Sequence, residues 1–167
     1  MFRIGLLSDT HGFYDSRIGN HFKDCNEIWH AGDIGDPEVI RRLKRIAPVV
    51  AVYGNIDGQP LRSLHPLHQR HTREGLDIWM THIGGYPGNY DARVKSGIQA
   101  HPPDLFISGH SHILKVVRDK KLGLLHMNPG AAGRHGFHKV RTLIRFEIEA
   151  ARIQHADIIE LGPRSPA

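Results

Sequence analysis

Short apolar runs bounded by glycine, proline or acidic residues predict buried strands at Phe2 to Ser8, Glu27 to His30, Pro48 to Tyr53 and Asp104 to Ser108. Two helices are expected early, over Asp15 to Lys23 and from Asp36 onward. In the second, Asp36 stands at the N-cap and Pro37 at the first helical position. Val39, Ile40, Leu43 and Ile46 form its apolar stripe, and Pro48 stops it. The pattern then changes to hairpins. His65 to Arg73 pairs with Leu76 to Thr81 across Glu74-Gly75, and Leu114 to Asp119 pairs with Leu124 to Met127. Between them, Tyr90 to Ala100 reads as a helix ended by Pro102-Pro103. Further on, Ile144, Phe146 and Ile148 alternate with Leu143, Arg145 and Glu147. That alternation marks a half-buried antiparallel strand, with Ile153 to Leu161 as its partner. Strand–helix alternation followed by hairpins predicts an α/β architecture with mixed sheets. One domain over residues 1–161 is expected, with residues 162–167 as a disordered tail.

At 167 residues the chain can bury a core without staples. Its one cysteine, Cys25, excludes an internal disulfide and a cysteine-based zinc site, and suits a reducing compartment. The opening MFRIGLLSDTHG has too short an apolar part for a signal peptide, and no apolar run approaches a membrane span. A soluble, cytoplasmic protein with no membrane partner is therefore expected. The net charge of +5 and sequence pI of about 9.6 suit an anionic partner. Arg41, Arg42, Lys44 and Arg45, and later Lys115, Arg118, Lys120 and Lys121, read as solvated faces of a helix and a hairpin. No aromatics interleave them, so nucleic acid is only weakly supported.

The chain carries 14 histidines, and two of them end the stretch Leu105-Phe-Ile-Ser-Gly-His-Ser-His112. In extended backbone, residues i and i+2 point to one side, so His110 and His112 are expected to face one point where the strand stops. Taken alone, the pair suits metal binding, acid–base work or surface hydrogen bonding. The wider pattern is more informative, because five predicted strands each end in a side chain able to bind metal. Asp9 and His11 follow the first, Asp33 the second and Asn55 the third; His82 ends the hairpin strand, and His110 and His112 follow the last. Sites in open α/β sheets form beyond the carboxyl ends of the strands. Seven nitrogen and oxygen ligands exceed one tetrahedral ion and suit two ions about 3.5–4 Å apart, bridged by a carboxylate. Two divalent ions outweigh the charges of Asp9 and Asp33, which leaves an electropositive pocket for a phosphate group even with a bridging hydroxide. Imidazole, carboxylate and amide ligands suit manganese first, then iron, zinc, nickel or cobalt, over calcium or magnesium.

The ordered set D-x-H, G-D, G-N, H and G-H-x-H resembles the calcineurin-like metallophosphoesterase superfamily. More narrowly, the chain is similar to the small YfcE/Vps29-type phosphoesterases. SDTHG at 8–12, HAGD at 30–33, GNID at 54–57, GHSH at 109–112 and NPG at 128–130 carry the resemblance, which spans about residues 2–148. It implies a four-layer α/β/β/α sandwich of two mixed β-sheets flanked by helices. It further implies that Asp9, His11 and His112 hold one metal with Asp33, while Asn55, His82 and His110 hold the other and share Asp33. The implied function is a dinuclear-metal phosphoesterase, a phosphodiesterase more than a monoesterase, in which a metal-bridging hydroxide attacks phosphorus of a small-molecule phosphate ester. The competing readings are a Vps29-like metal-binding interaction scaffold without significant catalysis, and a nuclease. Homo-oligomerisation is left open.

The chain departs from the family pattern at three points. Ile83 follows His82 where glycine is usual, Ala131 replaces the serine of NPGS, and Ile56 replaces the histidine of GNH, which can act as a general acid. Around the motifs, Asp57 reads as orienting a neighbouring group or capping a turn, and Asn128 as a turn-former supporting the site. Arg134, His135 and His138 read as candidates to reach substrate oxygens. His30 reads as a supporting strand residue, and His65, His68 and His71 as surface residues. The Gly-rich stretch 83–90, with Tyr86 and Tyr90, serves as a lid or as a connecting loop, and Cys25 reads as a small half-buried residue.

Overall fold

Alternate side chains of the central strands divide between two cores, and this division builds the architecture. The computed structural model describes residues 1–165. Its elements, in chain order, are β1 (Phe2–Leu7), α1 (Ile18–Phe22), β2 (Glu27–His30), α2 (Pro37–Lys44), β3 (Val49–Ala51), α3 (Leu61–Leu64), β4 (His68–Arg73), β5 (Leu76–Thr81), β6 (Gly85–Tyr86), β7 (Asn89–Tyr90), α4 (Ala92–Ala100), β8 (Leu105–Ile107), β9 (Leu114–Asp119), β10 (Leu124–Pro129), β11 (Val140–Glu149) and β12 (Arg152–Pro163). One sheet has the order β12-β11-β1-β2-β3 and the other β4-β5-β8-β10-β9; β6 and β7 form a small ribbon. Both sheets are mixed. β1, β2 and β3 run parallel, as do β5, β8 and β10, with antiparallel strands outside them.

Ile4, Leu6 and Trp29 of the first sheet, joined by Ile144, Phe146 and Ile148, pack against Ile78, Met80, Leu105, Ile107 and Met127 of the second. Leu7, Ile28 and Leu143 point the other way, against Ile18, Phe22, Val39, Ile40 and Leu43 of α1 and α2. On the far side of the second sheet, Phe106 and Trp79 pack against Val94 and Ile98 of α4. The result is the expected four-layer α/β/β/α sandwich of two mixed sheets. Each large apolar side chain buried in these layers contributes about 1.5–3 kcal/mol. Gly5 lets Phe22 approach closely: a Cβ there would meet the Phe22 ring at 2.6 Å.

The hairpins keep the anticipated register, with Arg73 opposite Leu76 and Asp119 opposite Leu124. Asp36 caps α2 as expected, its carboxylate accepting from the Glu38 N–H at 2.8 Å. Other expectations are corrected. The helix expected over Asp15 to Lys23 is a single turn at Ile18–Phe22, because the Asp15 carboxylate is drawn to the guanidinium groups of Arg17 and Arg141. The short helix α3 was not anticipated, since it buries only Leu61 and leaves no apolar stripe to read. Residues 162 and 163, assigned to a disordered tail, continue β12: Gly162 pairs with Arg141 and Pro163 with Val140, and the Arg141 guanidinium donates to the Pro163 carbonyl at 3.1 Å. Residues 166–167 of that expected tail lie outside the described residues. His71 is less exposed than a surface residue, with its ring packed edge-on to Trp29 at 5.0 Å and both ring nitrogens buried. Cys25 is buried, and burial pushes its thiol up to about 11, which leaves it unreactive at neutral pH.

Candidate metal centre

The carboxyl ends of β1, β2, β3, β5 and β8 open on one edge of the sandwich, and the loops beyond them carry the seven side chains singled out from the motifs. Their convergence differs in mechanism from the extended backbone expected of i, i+2 pairs. Asp9, His11, Asp33, His110 and His112 all lie in the left-handed region, with φ of 55°, 45°, 53°, 69° and 61°. Non-glycine residues there cost on the order of 1–3 kcal/mol each and persist only where surrounding contacts hold them. Those contacts cross between strands: Asp9 N–H donates to the Gly32 carbonyl, His11 N–H to Asp33 and Gly109 N–H to His82, at 2.9–3.0 Å. Gly54 and Gly109 make the closeness possible. A Cβ on Gly109 would lie 2.8 Å from Asp9 Oδ2, and one on Gly54 would meet the Asp33 carboxylate carbon at the same distance.

Each buried carboxylate is half satisfied. Asp9 Oδ2 accepts from Ser8 Oγ at 2.6 Å and from the His110 N–H at 3.1 Å. Among the described residues Asp9 Oδ1 has no hydrogen-bond partner, and it faces His112 Nε2 at 3.2 Å, His82 Nε2 at 3.8 Å and His11 Nε2 at 3.9 Å. Asp33 Oδ1 accepts from the Ile56 N–H at 3.1 Å, while Oδ2 faces His82 Nε2 at 3.2 Å and His11 Nε2 at 3.5 Å.

The imidazole tautomers follow from their other contacts. His82 Nδ1 lies 2.7 Å from the Ala31 carbonyl, which can only accept, so Nδ1 carries the proton and Nε2 of the neutral ring is bare. A longer chain fixes His112. His138 Nε2 donates to the Gly133 carbonyl at 2.8 Å, leaving His138 Nδ1 to accept from His112 Nδ1 at 3.2 Å, and His112 Nε2 is then bare toward Asp9. Bare nitrogens aimed at bare carboxylate oxygens repel unless a cation lies between them. Burial disfavours a charged His82, but the close approach of the Asp33 carboxylate and the Asp9 and Asp33 charges prevail and raise its pKa. The same contact overcomes burial at Asp33 and lowers that carboxyl. Burial lowers His11 and His110, favouring their neutral, ligating forms.

A metal fits this environment. Asp9 Oδ1, His11 Nε2 and His82 Nε2 are buried without hydrogen-bond partners among the described residues, and the donors are those of a borderline divalent ion. Two groups form, Asp9 with His11 and His112, and Asp33 with His82 and His110, the ligand atoms of each lying within 4.8 Å of one another. Asn55 Oδ1 sits 3.1 Å from His110 Nδ1, beside the second group.

Neighbouring residues divide into supports and cleft walls. The Asp57 carboxylate accepts three backbone N–H groups, from Ile34, Gly35 and Gly54, at 2.8–3.1 Å, tying the loop of Asp33 to the loop of Asn55. Asn128 donates to the Gly109 carbonyl and to Ser111 Oγ, bracing the His110 loop. His30 accepts the Gly32 N–H at Nδ1 and meets Thr10 Oγ1 at Nε2, which anchors the loops of Asp9 and Asp33. His135 lines the cleft, its ring 4.8 Å from that of His11. Arg134 lies over the Phe13 ring at 4.3 Å, and Tyr90 donates to Asp119 at 2.7 Å and packs on Phe106, so both are held by structural contacts. The role missed from sequence is that of His138, which orients His112 instead of meeting substrate; a histidine shortly after an NPG turn is the only local signal. The cleft above the centre encloses about 500 Å³, and Ile56, Ile113 and Phe137 form its apolar rim.

The calcineurin-like phosphoesterase superfamily domain matches residues 2–151. A probable metallophosphoesterase of Methanocaldococcus jannaschii is 32% identical over 137 residues, spanning 77% of this chain and 67% of the relative. The structure of Vps29 from Chaetomium thermophilum superposes with a TM-score of 0.74 at 14% identity, covering 99% of this chain and 98% of that one. The structure of a novel archaeal phosphodiesterase does so with a TM-score of 0.72 at 22% identity, covering 96% and 100%. At these identities the two structures show a shared fold.

Proposed function

Because this chain belongs to the calcineurin-like phosphoesterase superfamily, we propose that it is a phosphodiesterase working with two divalent metal ions. The observation that carries the reading is Asp33 Oδ2, which stands between a ring of one ligand group, His11, and a ring of the other, His82. Asp9, His11 and His112 would hold one ion with Asp33. Asn55, His82 and His110 would hold the other, with Asp33 shared. When bound, the ions supply Lewis-acid charge to a phosphoryl group and lower the pKa of water. Manganese is the first choice, with iron, zinc, nickel or cobalt able to substitute. A diester is favoured over a monoester because a second pocket adjoins the cleft, sharing His110, Ser111 and Ile113 with it, and offers room for a second arm.

The chain's own residues set the chemistry around that centre. The two carboxylates and the neutral rings keep the floor electropositive once loaded. Ile56, half exposed at the rim, takes the place of a proton donor and cannot protonate a leaving alcohol. Asp57 is excluded from that role, since it is 3% exposed and engaged by three N–H groups. His135 lines the same cleft, with its ring against His11. Across aryl phosphodiesters, the rate is therefore expected to fall steeply as the leaving group's pKa rises. His135→Ala should leave that slope unchanged, because no donor is expected at the leaving group. A flat dependence, with chemistry rate-limiting, would refute the absence of a donor. The reading as a whole is tested by hydrolysis of bis(4-nitrophenyl) phosphate, abolished by chelation and restored by manganese. Metal uptake without any turnover would support the scaffold alternative instead. The nuclease reading gains little, because of the basic clusters only Lys115 lines either pocket.

His138→Phe keeps the ring's bulk and removes the acceptor for His112 Nδ1–H. It is expected to weaken metal binding at the Asp9, His11 and His112 group by about 10–100-fold. The other group should be unaffected in a calorimetric titration, and His138→Gln, which can accept and donate, should recover part of the loss.

A further inference from the structure

The second pocket, of about 160 Å³, shares His110, Ser111 and Ile113 with the metal cleft. It is smaller than the roughly 300–1,000 Å³ of a site enclosing a whole organic ligand, so it suits one arm of a ligand. Tyr86 of the β6–β7 ribbon, Ile83, Lys115 of β9 and His126 of β10 complete its walls. Lys115 is half-buried, with its ammonium 3.9 Å from the Tyr86 ring centroid, and it forms no ion pair among the described residues. The other charged wall residue, Asp91, is paired with Arg93 at 3.0 Å. His126 is 1% exposed and meets the Phe106 carbonyl through Nδ1 at 3.0 Å, which makes Nε2 a bare acceptor. Burial holds its pKa down to about 4, so the ring is neutral at pH 7.

We propose that this side pocket is a binding subsite for the second alcohol arm of the substrate, and that it selects an arm bearing an anionic group, a carboxylate or a phosphate, on a short carbon chain. The inference rests on the phosphodiesterase reading above. Lys115 supplies an unpaired cation to the anionic group, and its stacking on Tyr86 restricts the flexible side chain before the ligand arrives, which reduces the ordering cost of binding. Ile83 and Ile113 cover the carbon chain. His126 Nε2 accepts from a hydroxyl on the arm. A cationic arm would meet the unpaired Lys115, while the wall carboxylate Asp91 is already engaged by Arg93, and is disfavoured.

Three 4-nitrophenyl phosphodiesters test this, with second arms 2-carboxyethyl, propyl and 2-(trimethylammonio)ethyl. The shared leaving group keeps the chemical step constant, so differences in kcat/KM report the arm. The carboxyethyl ester should exceed the propyl ester by about tenfold, and the ammonium ester should be the poorest. Lys115→Met keeps the length of the stem. It should remove the carboxyethyl advantage through KM and leave the propyl ester within about twofold. Independently of turnover, 3-phosphonopropionate added to the zinc-loaded protein should shift the NMR signals of Lys115, Tyr86 and His126 in the parent, and should leave those of Tyr86 and His126 unshifted in Lys115→Met. Equal kcat/KM for the three arms, an equal loss for all three in Lys115→Met, or shifts confined to the metal ligands would overturn the subsite. If no ester is hydrolysed while the phosphonate still shifts the Lys115 signals, the phosphodiesterase reading fails and the anion subsite stands.

Discussion

Asp33→Asn should cost the protein metal at both ligand groups and lower phosphodiester turnover by roughly a thousandfold or more, on the order of 4 kcal/mol in the barrier. The substitution keeps the shape of the side chain, and the amide oxygen can still accept from the Ile56 N–H, so the fold is expected to persist. What is lost is the negative charge at Oδ2, which faces His82 at 3.2 Å and His11 at 3.5 Å. His112→Ala should behave differently. Its Nε2 faces Asp9 Oδ1 and belongs to one group, so it should weaken one ion and leave the other in place. Calorimetric metal titration with elemental analysis separates the two cases. A single-site loss of similar size in both variants would rule out the shared carboxylate.

Acidification from pH 6.5 to 4 should strip stability from the metal-free fold. His30 and His126 are buried, and burial depresses each to about 4 in the folded state, against roughly 6.5 when unfolded. Between those values the unfolded chain binds more protons, so stability rises with pH. The contribution is fully present above pH 6.5 and is lost as the pH falls through the folded value. Each ring accounts for roughly 3 kcal/mol over that window. His82, whose pKa is raised, works in the opposite sense. Asp15 has its carboxyl held below the usual range, chiefly by the Arg17 hydrogen bond, and so acts only at lower pH. Denaturant unfolding in chelator at pH 7 and pH 4.5 reads the effect. His126→Asn retains a donor for the Phe106 carbonyl and cannot titrate, so it should flatten the dependence; an unchanged slope in that variant would exclude His126 as a source.

Much of the sandwich was legible because its strands obey a two-residue period. Ile144, Phe146 and Ile148 face the inter-sheet core as their alternation predicts, and β4 with β5 turn at Glu74-Gly75 as their pattern requires. The short elements were less legible: α3 has four residues, and β6 and β7 have two each, too few for a period to register.

At the metal centre, the local chain determined which residue types stand at the strand ends: Asp9, His11, Asp33, Asn55, His82, His110 and His112 follow apolar runs whatever the rest of the chain does. Only the tertiary structure decided how they meet. The left-handed backbone at five of them is held by hydrogen bonds between loops distant in sequence, such as His110 N–H to Asp9 Oδ2. The tautomers of His82 and His112 depend on Ala31 and His138, and the bracing role of Asp57 depends on the Ile34 and Gly35 N–H groups of the Asp33 loop as well as on Gly54 of its own loop. Periodicity and capping act between neighbours a few residues apart and so are written into the chain. Protonation, orientation and the pairing of charges are set by whichever groups lie within a few ångströms in space, and folding alone brings those together.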